Sequence, residues 1–251
     1  MARLWRWEID DRTISRTIRM PGRLIPKSAI FRIRRGPNKG FKWIAGSSVH
    51  SCWLGTYELA KQYQFERQIR PGMTVYDIGA NAGFYTLLFS RLVGATGSVY
   101  AFEPYAPAVK YLLEHLRINN IENVKIIQAA VGDTTRICSF SLGSANPELL
   151  WMNAVVSESI LQIPMIALDD GSFPQPDLIK MDVEGNEGAV LDGARRILRT
   201  KRPVVFVALH GEEQSQVCPR LLRDSGYRIF GIDDKPIIEL PHTDEVYAIP
   251  V

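Results

Sequence analysis

From residue 74 onward, short apolar runs alternate with segments whose apolar residues recur at helical spacing. Nearly continuous apolar strands separated by helices indicate a parallel sheet that is covered on both faces. With right-handed crossovers, this pattern predicts an α/β protein with a doubly wound, mostly parallel sheet. The predicted strands are Thr74–Ile78, Ser98–Phe102, Val124–Ala129, Leu178–Met181 and Val204–Leu209, and the predicted helices are Phe84–Val93, Ala106–Asn119, Asn186–Arg199 and Glu213–Ser225.

Three other segments depart from this rhythm. Tyr227–Gly231 and Glu245–Ile249 flank an acidic turn that contains proline, which predicts an antiparallel hairpin at the sheet edge. Thr134–Asp170 is richer in Ser, Asn and Pro and predicts extra strands or a loop. Tyr57–Ile69 predicts a helix before the first strand of the sheet.

The composition is that of an ordinary globular protein. The 251 residues are 46% hydrophobic and 23% charged, which excludes a disordered chain and suits one large domain. Cys52, Cys138 and Cys218 lie far apart without metal-ligand spacing, so we expect reduced thiols in a cytoplasmic protein. No uncharged apolar run approaches the roughly 20 residues that span a bilayer, and no secretory signal is evident, so we expect a soluble protein.

The charge is distributed unevenly, although the net charge is only +3. Residues 1–50 contain 12 Lys and Arg against 3 Asp and Glu, and the remainder contains 18 against 24. We therefore predict a basic N-terminal cap over residues 1–50, with a short strand at Ile30–Arg34, and a main domain over residues 51–251. The interleaved aromatic residues either contact nucleic acid, anionic lipid or a phosphorylated substrate, or pack on the main domain, which we favour. These aromatic residues are Trp5, Trp7, Phe31, Phe41 and Trp43.

A glycine-rich turn follows the first predicted strand, in the sequence Asp77-Ile-Gly-Ala-Asn-Ala-Gly-Phe84. Gly79 and Gly83 allow a ligand to approach the backbone, and Asn81 tolerates a left-handed conformation. The start of the next helix presents free N–H groups to a carboxylate. The turn lacks the third glycine of a dinucleotide-binding motif, which disfavours a nicotinamide oxidoreductase.

The second predicted strand ends at Glu103-Pro104, 20 residues after Gly83. At the carboxyl end of a strand beside the glycine-rich turn, a carboxylate can bind both hydroxyls of a ribose. The alternative for Glu103 is an ordinary surface acid in a loop. Because the glycine-rich turn is predicted beside it, we expect Glu103 to bind a ribose.

Four motifs in this order resemble the FkbM family of S-adenosylmethionine (SAM)-dependent methyltransferases, and the resemblance covers about residues 50 to 210. They are Asp77-Ile-Gly-Ala-Asn-Ala-Gly83, Val99-Tyr-Ala-Phe-Glu-Pro104, Gln128-Ala-Ala-Val-Gly-Asp133 and Ile179-Lys-Met-Asp-Val-Glu-Gly185, and Trp53-Leu-Gly-Thr-Tyr-Glu58 before them is also similar. The resemblance implies a Rossmann-like class I methyltransferase sheet of seven strands with a reversed C-terminal hairpin strand. Members are generally O-methyltransferases that act on hydroxyls of sugars or natural products.

By this resemblance, Asp77 and the loop Gly79–Gly83 hold the methionine end of SAM, and Glu103 binds its ribose. Pro104 and the loop Gln128–Asp133 line the adenine. Asp133 either reaches the exocyclic amine of the adenine or caps a turn. The full set of expected cofactor-binding residues is Asp77, Gly79, Asn81, Gly83, Phe84, Glu103, Pro104, Ala130 and Asp133.

Methyl transfer to oxygen requires a positioned hydroxyl and help with its proton. Asp182, at the end of the fourth strand, is the leading catalytic candidate, and its alternative role is the N-cap of the helix that follows. Glu184 faces either the site or the helix start. His210, at the tip of the fifth strand, is a base, a substrate contact or a structural residue. The family often has an acid two positions before this histidine, where this chain has Ala208.

Carboxylate and imidazole side chains such as those of Asp182, Glu184 and His210 can together ligate a divalent ion. Nothing in the spacing of these residues requires an ion, and we expect no metal. Tyr57 and Glu58 are expected on the helix before the first strand. There they either contact the cofactor or substrate, as the resemblance suggests, or serve ordinary packing.

The expected partner is a small hydroxylated acceptor, free or linked to a glycan or a lipid. N-methylation is disfavoured because Asp182-Val-Glu-Gly185 replaces the Asn/Asp-Pro-Pro-Tyr-like motif that holds amines. A nucleic-acid methyltransferase or binding protein that uses the basic cap is the main alternative, although no RNA-binding motif is present. A SAM-binding protein without activity is a further one. Trp151 and Met152 line either a substrate pocket or the contact of a homo-oligomer.

Overall fold

The protein is described here from a computed structural model, which covers residues 25–141, 160–239 and 244–251. The strands are β1 (Ile30–Arg32), β2 (Lys42–Ile44), β3 (Thr74–Ile78), β4 (Ser98–Phe102), β5 (Val124–Ile127), β6 (Ala130–Val131), β7 (Arg136–Ser141), β8 (Ile160–Ile166), β9 (Leu178–Met181), β10 (Val204–Ala208), β11 (Tyr227–Gly231) and β12 (Glu245–Pro250). The α-helices are α1 (His50–Leu54), α2 (Leu59–Gln68), α3 (Phe84–Val93), α4 (Ala106–Ile118), α5 (Glu187–Asp192), α6 (Arg195–Thr200) and α7 (Gly211–Asp224).

A seven-stranded sheet in the order β11-β12-β10-β9-β3-β4-β5 forms the centre of the fold. Its strands pair in parallel from β10 to β5, whereas β12 is antiparallel to both β10 and β11. The predicted doubly wound α/β sheet and the reversed C-terminal hairpin are therefore confirmed. The hairpin does not simply extend the edge, because β12 lies between β10 and β11.

The apolar runs form strands because both faces of the sheet are covered. Successive side chains point to opposite faces, so Tyr76 and Ile78 belong to one core and Val75 to the other. In the second core the ring of Phe65, from α2, lies 4.4 Å from the ring of Phe206 in β10 and 4.7 Å from that of Phe89 in α3. Burying each such ring stabilises the fold by about 1.5–3 kcal/mol.

The predicted helix Asn186–Arg199 is wrong as a single element, because it divides into α5 and α6 around Gly193. A Cβ at Gly193 would lie 2.0 Å from the carbonyl oxygen of Gly132. The chain at Gly132 therefore passes directly against the point at which the helix is interrupted. The carboxylate of Asp169 then accepts hydrogen bonds from the amides of Arg196 and Ile197, at 2.6 and 3.0 Å, and caps the start of α6.

The segment Thr134–Asp170 contains the predicted extra strands. β7 pairs antiparallel with β8, which pairs in parallel with β6, in a separate three-stranded sheet. Residues 142–159, with Trp151 and Met152, lie outside the described residues, so their predicted roles stay predictions.

The described part of the predicted cap packs on the sheet domain through β1 and β2. Trp43 is fully buried and its ring stacks on His115 of α4, with 3.9 Å between centroids. Phe31 stacks on Trp53 at 4.9 Å, and the guanidinium of Arg91 lies 3.8 Å from the ring of Phe41. These contacts agree with the packing interpretation of the cap aromatics. Trp5 and Trp7 lie outside the described residues.

Among the described residues, every helix is too short or too polar to cross a bilayer.

Candidate active site

Asp77 forms the buried floor of the glycine-rich loop. Its Oδ2 accepts a hydrogen bond from the hydroxyl of Thr86 at 2.6 Å, and its Oδ1 lies 3.2 Å from Nζ of Lys180, which itself donates to the carbonyl of Gly79 at 3.0 Å. The Asp77 side chain is completely buried. Asp77 therefore stabilises the loop through Thr86 and Lys180, and its carboxylate is not exposed to a ligand.

The loop backbone adopts left-handed conformations at Gly79, Asn81 and Gly83, with φ of 72°, 49° and 92°. A Cβ at Gly79 would lie 1.9 Å from the carbonyl oxygen of Asp182, and one at Gly83 would lie 2.3 Å from Leu112. Both positions therefore require glycine, because a Cβ would collide with a neighbouring residue. This is a second reason for the two glycines, in addition to the expected approach of a ligand. Asn81 caps its own turn, because its Oδ1 accepts from the amide of Ala82 at 2.7 Å.

Glu103 joins this loop to the end of β4. Its Oε2 accepts from the amide of Asn81 and its Oε1 from the amide of Tyr105, both at 2.8 Å. Burial raises the pKa of Glu103, while these two hydrogen bonds act in the opposite direction. A carboxylate offers about four acceptor positions, so two of those on Glu103 are left for a ligand, as binding of the two ribose hydroxyls requires.

The remaining expected cofactor residues differ in how far they are buried. Phe84 is buried and its ring contacts Trp43 and Tyr57 edge-on, at 5.7 and 5.4 Å, so it packs toward the cap. Asp133 is exposed in the turn before β7, where its Oδ1 accepts from Arg136 at 2.9 Å. This favours the turn role that we left open for Asp133. Pro104 and Ala130 are half-buried, at the end of β4 and the start of β6.

Tyr57 and Glu58 lie in the turn before α2, which begins at Leu59, so their predicted placement on the helix is wrong. Glu58 has a left-handed backbone, with φ of 42°, and accepts from the hydroxyl of Tyr85 at 2.6 Å. The buried Nζ of Lys61 lies 3.1 Å from Glu58 and 2.6 Å from Glu245, at the start of β12. Two carboxylates thus share one buried ammonium.

The same contacts shift the pKa values of Lys61 and Glu245. Burial would lower the pKa of Lys61, but Glu245 and Glu58 outweigh it and raise that pKa. Burial also raises the pKa of Glu245 to about 7, although Lys61 opposes the shift. Glu245 pairs across the sheet with Ala208.

Asp182, Glu184 and His210 come together at the carboxyl edge of the sheet, after β9 and β10. Nε2 of His210 lies 3.6 Å from Oδ1 of Asp182 and 3.7 Å from Oε2 of Glu184. Asn186, and not Asp182, directly precedes the first residue of α5, which removes the N-cap alternative for Asp182. Glu184 faces His210 from a left-handed backbone conformation, with φ of 55°.

The other ring nitrogen of His210 is held by Glu187, a residue absent from the sequence-based candidates. Nδ1 of His210 lies 2.7 Å from Oε1 of the fully buried Glu187, which also accepts from the amide of Gly185 at 3.1 Å. Since Nδ1–H donates to Glu187, Nε2 is the nitrogen that faces Asp182 and Glu184. The hydrogen bond to Glu187 therefore fixes the orientation of the His210 ring.

Positive charges surround Asp182. Burial alone would raise its pKa, but Lys180, Lys61 and His210 together lower it below the ordinary value. The hydrogen bond to Glu187, assisted by the negative charge of Asp182, raises the pKa of His210 to about 9 against the effect of burial. At neutral pH the site thus holds an ionised Asp182 beside a protonated His210.

Sequence reasoning missed four residues that organise the site, and their signals differ. Lys180 lies inside the Ile179–Gly185 motif and Glu187 just after it, where the available signs were a charged residue in a buried strand and an acid at the start of a helix. Lys61 and Glu245 are 184 positions apart, and nothing local in the sequence relates them.

Comparison with known proteins adds the family. The family model described as "Methyltransferase FkbM domain" matches residues 77–229, which include the glycine-rich loop, Glu103 and the Asp182–His210 edge. No curated protein matches the chain.

Two solved structures share the fold. Methyltransferase FkbM from Methylobacillus flagellatus KT is 17% identical with a TM-score of 0.53, and the match covers 79% of this chain and 52% of that one. A SAM-dependent O-methyltransferase from Thermotoga maritima is 14% identical with a TM-score of 0.52, over 90% of this chain and 78% of that one. The chain thus spans about half the length of the Methylobacillus protein.

The cofactor fits the residues present. Glu103 keeps two acceptor positions beside the glycine-rich loop, and the sheet edge next to it carries Asp182 and His210. The match covers more than half of the chain and all of these residues. The protein therefore belongs to the FkbM family of SAM-dependent methyltransferases.

Proposed function

We propose that the protein transfers the methyl group of SAM to a hydroxyl oxygen of a sugar or natural-product-like small molecule, free or linked to a glycan or a lipid. The observation that carries this proposal is the position of Asp182, whose carbonyl packs against Gly79 of the cofactor loop while its carboxylate faces His210. A hydroxyl placed at this carboxylate is also next to the cofactor loop.

When bound, SAM supplies an electrophilic methyl group on a sulfonium. The chain's own residues position the two reactants, which provides most of the acceleration in such a transfer. Glu103 binds the ribose hydroxyls through its two remaining acceptor positions. Asp182 accepts a hydrogen bond from the acceptor hydroxyl, which orients an oxygen lone pair toward the methyl carbon, and the hydroxyl proton leaves through this carboxylate to solvent water. Lys180 and Lys61 keep Asp182 ionised for this role.

Tyr57 and Glu58 are proposed to border the acceptor site. Coulombic interactions with Lys61 and Glu245 connect their turn to Asp182, although the three elements are distant in sequence. A polar, partly buried wall of carboxylates and one ammonium suits a hydroxylated acceptor, because its hydroxyls can both donate to and accept from such groups.

Two features support oxygen and a small acceptor over the alternatives. The segment Asp182–Gly185 lacks the prolines and the aromatic residue of amine-holding motifs. In the described part of the cap, Phe31, Phe41 and Trp43 pack on the domain instead of presenting their rings to bases. We retain the proposals of a cytoplasmic protein and of a homo-oligomer.

Calorimetric titration with S-adenosylhomocysteine, in parallel with NADH, tests the cofactor assignment. We expect micromolar binding of the former alone. Glu103→Ala should abolish this binding, because the ribose hydroxyls lose their acceptor, whereas Glu122→Ala, at an exposed acid, should leave it unchanged. Unchanged affinity in the Glu103 variant would show that the ribose assignment is wrong.

Transfer of labelled methyl from SAM to a panel of glycosides, polyols and phenols tests the reaction. With an accepted substrate, Asp182→Asn should still bind S-adenosylhomocysteine, but its turnover rate should fall by about 100-fold or more. Asp192→Asn, in an exposed ion pair with Arg195, is the control. Normal turnover in the Asp182 variant, or methylation of amines alone, would contradict the proposal.

A further inference from the structure

The geometry points to a divalent-cation site formed by Asp182, Glu184 and His210, with Glu187 as its outer support. One ligand atom from each of the three lies within 4.8 Å of the others. This inference departs from the sequence-based expectation of a metal-independent site. It rests on the proposed function for the role of the cation, and on the described contacts alone for its binding.

The spacing of the three ligand atoms suits one shared ion. The two His210 contacts, 3.6 Å to Asp182 and 3.7 Å to Glu184, are longer than hydrogen bonds. Ligands at about 2.1 Å from one octahedral ion are about 3.0 Å apart when adjacent and about 4.2 Å apart when opposite. A small contraction therefore brings all three onto one cation, with further positions left for water or a substrate oxygen.

The histidine is oriented as metal-binding histidines are. In such sites the ring nitrogen that is not bound to metal donates to a carboxylate, which fixes the ring and strengthens the ligand. Here Nδ1 of His210 meets Oε1 of the buried Glu187 at 2.7 Å, so Nε2 is directed at Asp182 and Glu184. A histidine that only packed in a loop would not need a fully buried carboxylate behind it.

The charge balance also favours a cation. Asp182, Glu184 and Glu187 place three carboxylates around one imidazole. Lys61 and Lys180 also act on Asp182, but Lys61 directly contacts Glu58 and Glu245, and Lys180 directly contacts Asp77. Even with His210 counted as a cation, the six carboxylates of this region outnumber its three basic side chains. The edge therefore keeps a surplus of negative charge that a divalent ion would neutralise.

Such an ion would act on the acceptor. Alcohols are very weak acids, and a bound divalent cation stabilises the ionised oxygen. The hydroxyl proton passes to solvent water on the open side of the site, where Glu184 is 55% exposed. The oxygen then forms a bond to the methyl carbon as the carbon–sulfur bond breaks, and the electron pair of that bond goes to sulfur.

The test measures Mn²⁺ binding to the full chain after treatment with a chelator, by electron paramagnetic resonance and calorimetry with MnCl₂ alone. We expect one saturable ion per chain. Asp182→Asn and His210→Gln should each weaken binding by more than 10-fold, and Glu187→Gln, which alters the carboxylate that holds both His210 and the loop amides of Val183 and Gly185, by about 10-fold or more. Glu213→Gln, an exposed acid three positions from His210 and outside the three-residue group, should bind Mn²⁺ as the unaltered chain does.

S-adenosylhomocysteine titration of every variant separates this inference from the proposed function and checks folding. Mn²⁺ affinity that is absent, or unchanged in Asp182→Asn, would overturn the cation site while leaving the cofactor assignment intact. Loss of methyl transfer by at least 10-fold on chelation, with recovery on addition of Mn²⁺, is the expected activity result. Undiminished transfer after chelation would show that a bound ion has no part in the reaction.

Discussion

Gly79 is the residue at which the cofactor loop and the acidic edge touch. Its missing Cβ would lie 1.9 Å from the backbone oxygen of Asp182, which cannot move without displacing the end of β9. We expect Gly79→Ala to lower the free energy of unfolding by more than about 3 kcal/mol, because it adds a collision to the strain of a positive φ.

Gly40→Ala is the matched control for this change. Gly40 lies in an exposed turn and also has a positive φ, of 94°, but a Cβ there would meet nothing within 4 Å. Only the backbone strain of about 1–2 kcal/mol should then be lost. Urea denaturation of both variants measures the difference, and equal losses would mean that the approach of Asp182 to Gly79 imposes no constraint.

His115 makes stability depend on pH. Its Nδ1 bonds to the carbonyl of Ala82 at 2.7 Å and its Nε2 accepts from the amide of Ile44 at 3.0 Å, so the buried ring is neutral. Burial lowers its pKa from 6.5 to about 4. Between these values the unfolded chain binds a proton that the folded chain excludes, so stability falls as pH decreases through this range.

The expected loss is up to about 1.4 kcal/mol per pH unit, and about 3 kcal/mol in total. Glu245, with a folded-state pKa of about 7, titrates in the same range and acts in the opposite direction, so the contribution of His115 is measured as the difference between the unaltered chain and His115→Gln from pH 7 to pH 5.5. His115→Gln should be less stable overall, yet should lose less stability than the unaltered chain as pH falls. Parallel pH profiles for the two proteins would contradict a neutral buried His115.

At the scale of elements, α6 depends on a cap supplied from another part of the chain. The two Asp169 oxygens accept the amides of Arg196 and Ile197. Asp169→Ala should therefore cost about 1–2 kcal/mol of stability. Asp170→Ala, which removes only an exposed contact with Thr135, should cost under about 0.5 kcal/mol. Thermal unfolding of the pair provides the comparison, and equal melting temperatures would rule out the cap.

The same elements show what the sequence could predict. The bounds of β3, β4 and β9 were predicted to the residue, because strands buried on both faces need unbroken apolar runs between turn signals. The break between α5 and α6 was missed, because its causes, Gly132 and Asp169, act from other segments. No local pattern in the helix records such a crossing.

The site divides in the same way. Strand order places Asp182 and His210 at one edge of the sheet, so a pattern of parallel strands sufficed to bring them together. Their supports were not predictable, because Glu187 looks like an ordinary first-turn acid of a helix and Lys61 like a solvated helix residue. Only the packed fold shows that both are buried.

At the scale of the whole molecule, α2 is joined to the C-terminal part of the sheet by two ion pairs of opposite character. Lys61 is buried between Glu58 and Glu245, whereas Arg67 and Asp234 form an exposed pair. Lys61→Met should destabilise the protein by about 3 kcal/mol, because it leaves two half-buried carboxylates without a counter-charge. Arg67→Met should cost less than about 1 kcal/mol.

Denaturant unfolding of the two variants decides between these expectations. Adding Glu245→Gln to the Lys61 variant should recover part of the loss, since it removes one of the stranded charges. Similar small losses in both single variants would mean that water relieves the charge at Lys61, and that the cluster is more open than its burial indicates.

The position of β12 has a consequence for how the protein is made. This strand pairs with β10 on one side and β11 on the other, although it follows both in the chain. During translation, β10 and β11 emerge while the space between them is still vacant, and each exposes backbone groups that only β12 satisfies. Ribosomes that stall before residue 245 would therefore release chains with unpaired strand edges, which aggregate readily and are natural clients of chaperones.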